Sequence, residues 1–389
     1  MHTTPIADRL KRLPRYVFIE VAEKREKYRA EGRKIIDLSI GDPDLPTPPV
    51  IVECLREAAQ HSPFHRYPQG IGSIDFREAA SRFYKRRFGV ELDPHSEITA
   101  LIGSKEGLGH LPLALLNPND IALVPDPAYP VYAASVGFAE GHVTYMPLLA
   151  KNRFLPDLDA IDKDILKKTK LLFINYPNNP TGATAPREFY EHICILARQY
   201  GFVICQDNAY SDIYFSEEPP LSILNIENAR DVAVEFYSLS KTFNMTGWRI
   251  AFAVGQPQVL AALAGLKSNL DSGVFGAIQA AAITALDHYE ELHPDILRSY
   301  RERRALLMPA LERLGWMTNA GEATFYCWAK YPDSISSADF ATKLIDECGI
   351  IATPGSAFGP AGEGYIRFSL TASTAEIEQT AEILISRYL

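Results

Sequence analysis

Residues 170–210 read KLLFINYPNNPTGATAPREFYEHICILARQYGFVICQDNAY. Two apolar runs, 170–177 and 202–210, flank a segment at 186–200 whose apolar residues recur at helical spacing. LLFIN and FVIC are continuously apolar rather than alternating, the pattern of strands buried on both faces. Strand, helix and strand in this order form one unit of a parallel sheet. Five further runs of the same kind occur at 97–103, 120–127, 142–148, 232–240 and 249–255. Helical patterns at 73–88 and 105–116 lie before and among them. The middle of the chain therefore predicts an α/β domain with a mostly parallel seven-stranded sheet between helices. The interval between Ser240 and Arg249 is too short for a crossover, so at least one neighbour is antiparallel.

The C-terminal part has a different rhythm. A long amphipathic helix is expected at 297–314, strands at 324–330 and 364–370, and helices at 338–348 and 375–388. That is an α+β pattern. The first 45 residues are too few for their own core and are expected to pack against it. The expected division is a large α/β domain over 46–285 and a small α+β domain formed by 1–45 with 286–389.

Composition narrows the function classes. The chain has 389 residues, 47% apolar and 22% charged, enough for a large core. A net charge of −9 argues against a general nucleic-acid binder, which needs a basic surface. Five cysteines, widely spaced and without a C-x-x-C pair, suggest neither a disulfide framework nor a zinc site. Asp8, Arg9, Lys11, Arg12 and Arg15 interrupt any signal-peptide core, and no run approaches the ~20 apolar residues of a membrane span. A soluble, cytoplasmic protein is the expectation. His61 and His65 have helical ligand spacing, but Pro63 lies between them and no third ligand is evident, so no metal is expected.

Ligands of α/β sheets bind at the carboxyl ends of strands, and the unusual residues collect there. Gly103-Ser104-Lys105-Glu106-Gly107 joins a strand to a helix, whose free N–H groups favour an anion such as phosphate; a glycine-rich turn with a serine cap is the plain alternative. Asn175–Gly182 contains N-N-P-T-G, a turn able to hold an Asn side chain above a sheet edge. Asp207 ends a buried run, where a carboxylate needs a cation or several donors; a protonated pyridine nitrogen would serve. In Ser238-Leu-Ser240-Lys241 a lysine ends a strand, and Arg249 follows eight residues later. Its amine can form a Schiff base with an aldehyde, while Ser238 and Arg249 can hold a phosphate. In Tyr365-Ile-Arg367-Phe-Ser369 alternation puts Tyr365, Arg367 and Ser369 on one face; Arg367 is either a salt-bridge partner or a carboxylate clamp.

As a set and in this order, N-N-P-T-G, D-x-x-Y and S-x-S-K with a later Arg resemble the pyridoxal-phosphate aminotransferases of fold type I, class I/II, over nearly the whole chain. The resemblance implies that Lys241 holds the cofactor pyridoxal 5′-phosphate covalently and moves the substrate proton. It implies that Asp207 faces the pyridinium nitrogen, and that Tyr210 and Asn179 meet the ring's phenolic oxygen. Ser104, Lys105, Ser238, Ser240 and Arg249 would lie around the cofactor, chiefly at its phosphate, with Tyr129 stacked on the ring. Tyr67 would reach the phosphate of a neighbouring subunit, so the active sites would be shared across a homodimer. Arg367, with Gly41, would clamp the α-carboxylate. The implied activity is ping-pong transfer of an amino group between an amino acid and a 2-oxo acid.

Finer features resemble the L,L-diaminopimelate aminotransferases of lysine biosynthesis. They are Leu13-Pro-Arg-Tyr16, Gly-Ser-Lys-Glu-Gly-Leu followed by His-Leu-Pro, and Asn269-Leu-Asp-Ser-Gly-Val-Phe275. Tyr16 would contact substrate. Lys105 could meet a distal carboxylate, and Glu106 a distal ammonium. The alternatives are an aspartate, alanine or broad-specificity aminotransferase, or a C–S β-lyase using the same cofactor residues. A non-catalytic regulator on this fold would need a DNA-binding segment, which is not seen before residue 45, and has no use for an intact Lys241.

Overall fold

A computed structural model describes residues 7–11, 17–316, 321–332 and 334–389. Its strands are β1 (Ile36–Asp37), β2 (Ile98–Leu101), β3 (Ile121–Asp126), β4 (His142–Pro147), β5 (Thr169–Ile174) and β6 (Val203–Asp207). They continue with β7 (Ala233–Ser238), β8 (Ala251–Gly255), β9 (Tyr326–Lys330), β10 (Ile350–Ile351), β11 (Thr353–Pro354) and β12 (Tyr365–Ser369). Seven of them form one sheet in the order β2-β8-β7-β6-β5-β3-β4. Every pair is parallel except those of β8, which runs against both β2 and β7. The seven apolar runs of the sequence are these seven strands, and β8 is the expected antiparallel neighbour.

Both faces of the sheet are covered, which explains the unalternating runs. Ile204, Tyr237 and Phe252 point to one side, into a core with Phe76, Phe83 and Ile193. Cys205, Phe236 and Ala253 point to the other, with Leu108, Leu111, Val136 and Leu263. The covering helices are Ile74–Phe88 and Arg187–Tyr200 on the first side, and Ser104–Leu115, Val131–Phe138 and Pro257–Leu270 on the second. Gly107 allows close docking of its helix: a Cβ there would lie 2.6 Å from Phe236. All five cysteines are free thiols.

A further core joins Ile36 and Leu38 to Tyr300, Leu307, Phe340, Ile366, Phe368 and Leu384. Here β1 pairs in parallel with β10, and β12 lies antiparallel between β11 and β9. The first 45 residues thus contribute a strand to the C-terminal part, as their shortness implied. Two boundaries differ from expectation. The long helix begins at Tyr289, eight residues early, because Tyr289, His293 and Ile296 extend its buried stripe. The strand expected from 324 begins at Tyr326, because Thr324 has a left-handed φ of 65° that no strand residue can hold. Among the described residues no helix is long and apolar enough to cross a membrane.

Candidate active site

A cavity of about 440 Å³ opens at the carboxyl ends of β3, β5, β6 and β7. Because β8 runs backwards, its beginning lies on the same rim, and Arg249 is delivered there. Arg367 and Tyr326 come from the smaller sheet, and Ile40–Asp42 from the segment after β1. The cleft therefore lies between the two main cores. Gly41, Ser104, Lys105, Tyr129, Asn179, Asp207, Tyr210, Ser238, Ser240, Lys241, Arg249 and Arg367 all line it. Tyr67 does not; its side chain is 88% exposed. Tyr16 lies outside the described residues.

The floor is set by Asp207. Tyr132 donates to its Oδ2 at 2.7 Å, while Oδ1 is buried with no hydrogen-bond partner. Burial raises its pKa to about 6, against the Tyr132 hydrogen bond, which lowers it. A buried carboxylate with one unmet oxygen facing a cleft fits a protonated ring nitrogen. The Asn175–Thr181 loop is fixed beside it by its own side chains. Asn175 Nδ2 donates to the Asp207 carbonyl at 2.8 Å, and Asn175 Oδ1 accepts from the Asn179 amide at 2.8 Å. Asn178 Oδ1 accepts from both the amide and the hydroxyl of Thr181. Asn179 is thereby held in the cleft.

Lys241 follows β7 on the short helix Leu239–Thr242, whose first turn is capped by the Ser238 hydroxyl. Its Nζ donates to the Gly41 carbonyl at 2.6 Å. Burial lowers its pKa to about 8; Asp42 opposes the shift, and Arg367 and Arg249 add to it. The amine is thus poised to act uncharged, as a nucleophile or base. Gly41 has no room for a side chain: a Cβ would lie 1.8 Å from the Tyr326 hydroxyl.

The opposite end is an anion cup. Helix Ser104–Leu115 starts at Gly103, which brings no side chain to cap the first N–H groups. Gly103 has φ +76°, and a Cβ there would sit 2.2 Å from Arg249 Nη2. The bare backbone is what lets the guanidinium lie against the helix start. Arg249 itself has φ 56° and donates to the Thr246 carbonyl at 2.8 Å, its one acceptor among the described residues. Open N–H groups, a guanidinium and hydroxyls at Ser104, Ser238 and Ser240 make a fitting receptor for a phosphate.

Arg367 is buried, with its guanidinium 4.0 Å from the Tyr326 ring centre and 4.7 Å from that of Phe358. It donates to Asn179 Oδ1 at 2.9 Å and to the Ser39 carbonyl at 2.7 Å, both neutral. A carboxylate entering the cleft is the anion such a group can take. Tyr326 also meets Tyr210, hydroxyl to hydroxyl, at 3.2 Å.

Tyr132 and Tyr326 were missed in the sequence. Each looks like a core aromatic there; the one signal was Tyr132 standing three residues after Tyr129, one helical turn on. Glu106 corrects an expectation. It does not face the cleft to meet a distal ammonium, because its Oε2 is held by the Ile102 amide and by buried Lys267.

The family model described as aminotransferase class I and II matches residues 33–384. An LL-diaminopimelate aminotransferase of Aquifex aeolicus (strain VF5) is 50% identical over 376 residues, 97% of each chain. One from Halothermothrix orenii is 47% identical over 378 residues, again 97% of each. Among solved structures, substrate-bound BacF from Bacillus subtilis superposes with a TM-score of 0.93 at 39% identity, covering 99% of this chain and 98% of that one. A Thermus thermophilus aspartate aminotransferase mutant gives 0.92 at 28%, covering 99% and 100%. Sequence, fold and cleft agree: the chain belongs to the class I and II aminotransferases, enzymes of fold type I that depend on pyridoxal 5′-phosphate.

Proposed function

We propose that this enzyme moves an amino group between L,L-diaminopimelate and 2-oxoglutarate, in lysine biosynthesis. The observation that carries the substrate choice is near-equal length and 50% identity to relatives named for that reaction. The N- and C-terminal sequence features and the Gly-Ser-Lys-Glu segment point the same way.

Pyridoxal phosphate, when bound, supplies an aldehyde and a ring that accepts electrons released at the substrate Cα. Asp207 keeps the ring nitrogen protonated, so the electron sink is strong. Tyr210 and Asn179 bind the phenolic oxygen. Tyr129 covers the ring face, and the cup at Ser104, Lys105, Ser238, Ser240 and Arg249 fixes the phosphate. Arg367 and Gly41 orient the α-carboxylate. Lys241 Nζ, displaced from the cofactor by the amino acid, takes the Cα proton and returns it to the neighbouring cofactor carbon. A second 2-oxo acid reverses the sequence. Lys105 reaches toward a distal carboxylate at the mouth, and Tyr16 contacts substrate.

The enzyme works in the cytoplasm as a homodimer, Tyr67 completing the phosphate cup of the neighbouring subunit; its exposure in a single chain supports this. Residues 46–285 form the cofactor domain, and 1–45 with 286–389 the domain that brings Arg367 to it. The separate core built from Ile36, Leu38 and the C-terminal helices supports that division.

The test is cofactor absorbance during separate additions of L,L-diaminopimelate, glutamate, aspartate and alanine. Conversion to the amine form of the cofactor by the first two alone is expected. Bleaching by aspartate or alanine with no response to diaminopimelate overturns the substrate. Ammonia release without any oxo-acid acceptor identifies a β-lyase instead.

A further inference from the structure

Two of the sequence features set apart above, Gly103–Leu108 and Asn269–Phe275, meet at one buried side chain. Lys267, 1% exposed in the helix Pro257–Leu270, places its Nζ 2.9 Å from Glu106 Oε2 and 3.0 Å from Asp271 Oδ2. Glu106 Oε2 also accepts from the Ile102 amide at 3.0 Å. His110 Nδ1 lies 2.6 Å from Glu106 Oε1 without the geometry of a hydrogen bond. Asp271 Oδ1 accepts from the Gly273 amide at 2.8 Å, and Gly273 packs against Gln69 and Gly70, close in sequence to Tyr67.

Glu106 stands in the first turn of the helix whose N-terminus forms the anion cup. Its placement creates a conflict. A carboxylate there is favourable to the helix dipole but repels the phosphate that the same N–H groups are arranged to hold. Partial burial lets that repulsion act with little screening by water. The ammonium of Lys267, inserted from a neighbouring helix, offsets it. It also fixes Glu106 so that the carboxylate holds the Ile102 amide rather than turning toward the cup.

We propose that Lys267 is a positioning residue for the cofactor's phosphate: it neutralises Glu106 and holds the start of the cup helix, without touching the cofactor. The proposal rests on the family's cofactor and not on the choice of amino acid. It predicts a defect confined to the anionic end of the ligand.

The measurement is the dissociation constant of the dialysed protein for pyridoxal phosphate and for pyridoxal, which lacks the phosphate. Wild type is expected to prefer the phosphate ester strongly; equal affinity for both would remove the cup itself. Lys267→Met should weaken pyridoxal phosphate at least tenfold and leave pyridoxal within about twofold. Equal loss of both, or of neither, overturns the proposal. Glu106→Gln removes the repelling charge, keeps an acceptor for Ile102 and Lys267, and stands in if Lys267→Met fails to fold. It should bind pyridoxal phosphate as tightly as wild type or tighter, with pyridoxal unchanged. A tenfold weakening of pyridoxal phosphate in Glu106→Gln overturns the proposal as well.

Discussion

Asp207 owes its chemistry to Tyr132. The carboxylate is buried, and desolvation alone favours its protonated form. Tyr132 lies stacked on Phe173, ring centres 5.0 Å apart, so its hydroxyl has a fixed direction. Its hydrogen bond stabilises the ionised carboxylate and leaves the other oxygen for the cleft. In Tyr132→Phe the ring packing is kept and the hydrogen bond is lost. The Asp207 pKa then rises, so a higher pH is needed to keep it ionised. The acid limb of kcat against pH should move up by about one unit, the size of one charge-assisted hydrogen bond. An unmoved limb with an unchanged alkaline side would dissociate Tyr132 from Asp207. At this scale the sequence was most readable where a residue was out of place: a lysine, an aspartate or an arginine at the end of a buried strand has few reasons to be there. Tyr132 and Tyr326 carried no such signal, since a tyrosine in an apolar run is an ordinary core residue and the chain has 19 of them.

Single elements set the spacing between those side chains. The cup helix begins at a residue that must lack a Cβ, for two separate reasons: a left-handed φ of +76° and the adjacent Arg249 guanidinium. Gly103→Ala strains the backbone by about 1 kcal/mol. The clash falls on the far end of a flexible side chain, so the fold survives and Arg249 leaves the cup. Affinity for pyridoxal phosphate should drop about tenfold with a melting temperature lower by only a few degrees. Undiminished affinity, read by titrating the dialysed protein, would show that Arg249 does not serve the phosphate. The seven long strands were legible because burial on both faces removes polar residues from them. Their order was not, because a parallel crossover can place the next strand on either side of the growing sheet. The pairs β1–β10 and β11–β12 were also invisible: two-residue strands have no period to read.

For the whole molecule, the question is which chain completes which cleft. Every expected contact residue in the described part lines the cavity of its own chain except Tyr67. Co-expression of Lys241→Ala with Tyr67→Ala separates the two arrangements. If Tyr67 serves its neighbour, a mixed dimer contains one site with an intact Lys241 and an intact Tyr67, and activity returns at about half the wild-type level per dimer. If Tyr67 serves its own chain, every site in the mixture carries a defect and no activity returns. Dependence between subunits could not be read from one chain's apolar pattern, because a residue that faces a partner and one that faces water look alike in sequence.

The backward run of β8 has a consequence for ligand choice. It places Lys241 and Arg249 on one rim, joined by a short stretch of chain, with the buried Asp207 oxygen between rim and floor. The cleft thus grips by two ends at a fixed span. An aldehyde caught by the lysine makes the binding of its own anion an intramolecular event, at an effective concentration far above that of free phosphate. An aldehyde and an anion on separate molecules gain nothing from each other, and a tether of the wrong length satisfies one end only. Discrimination among the many aldehydes of a cell is then a matter of length, enforced by the geometry of a single reversed strand.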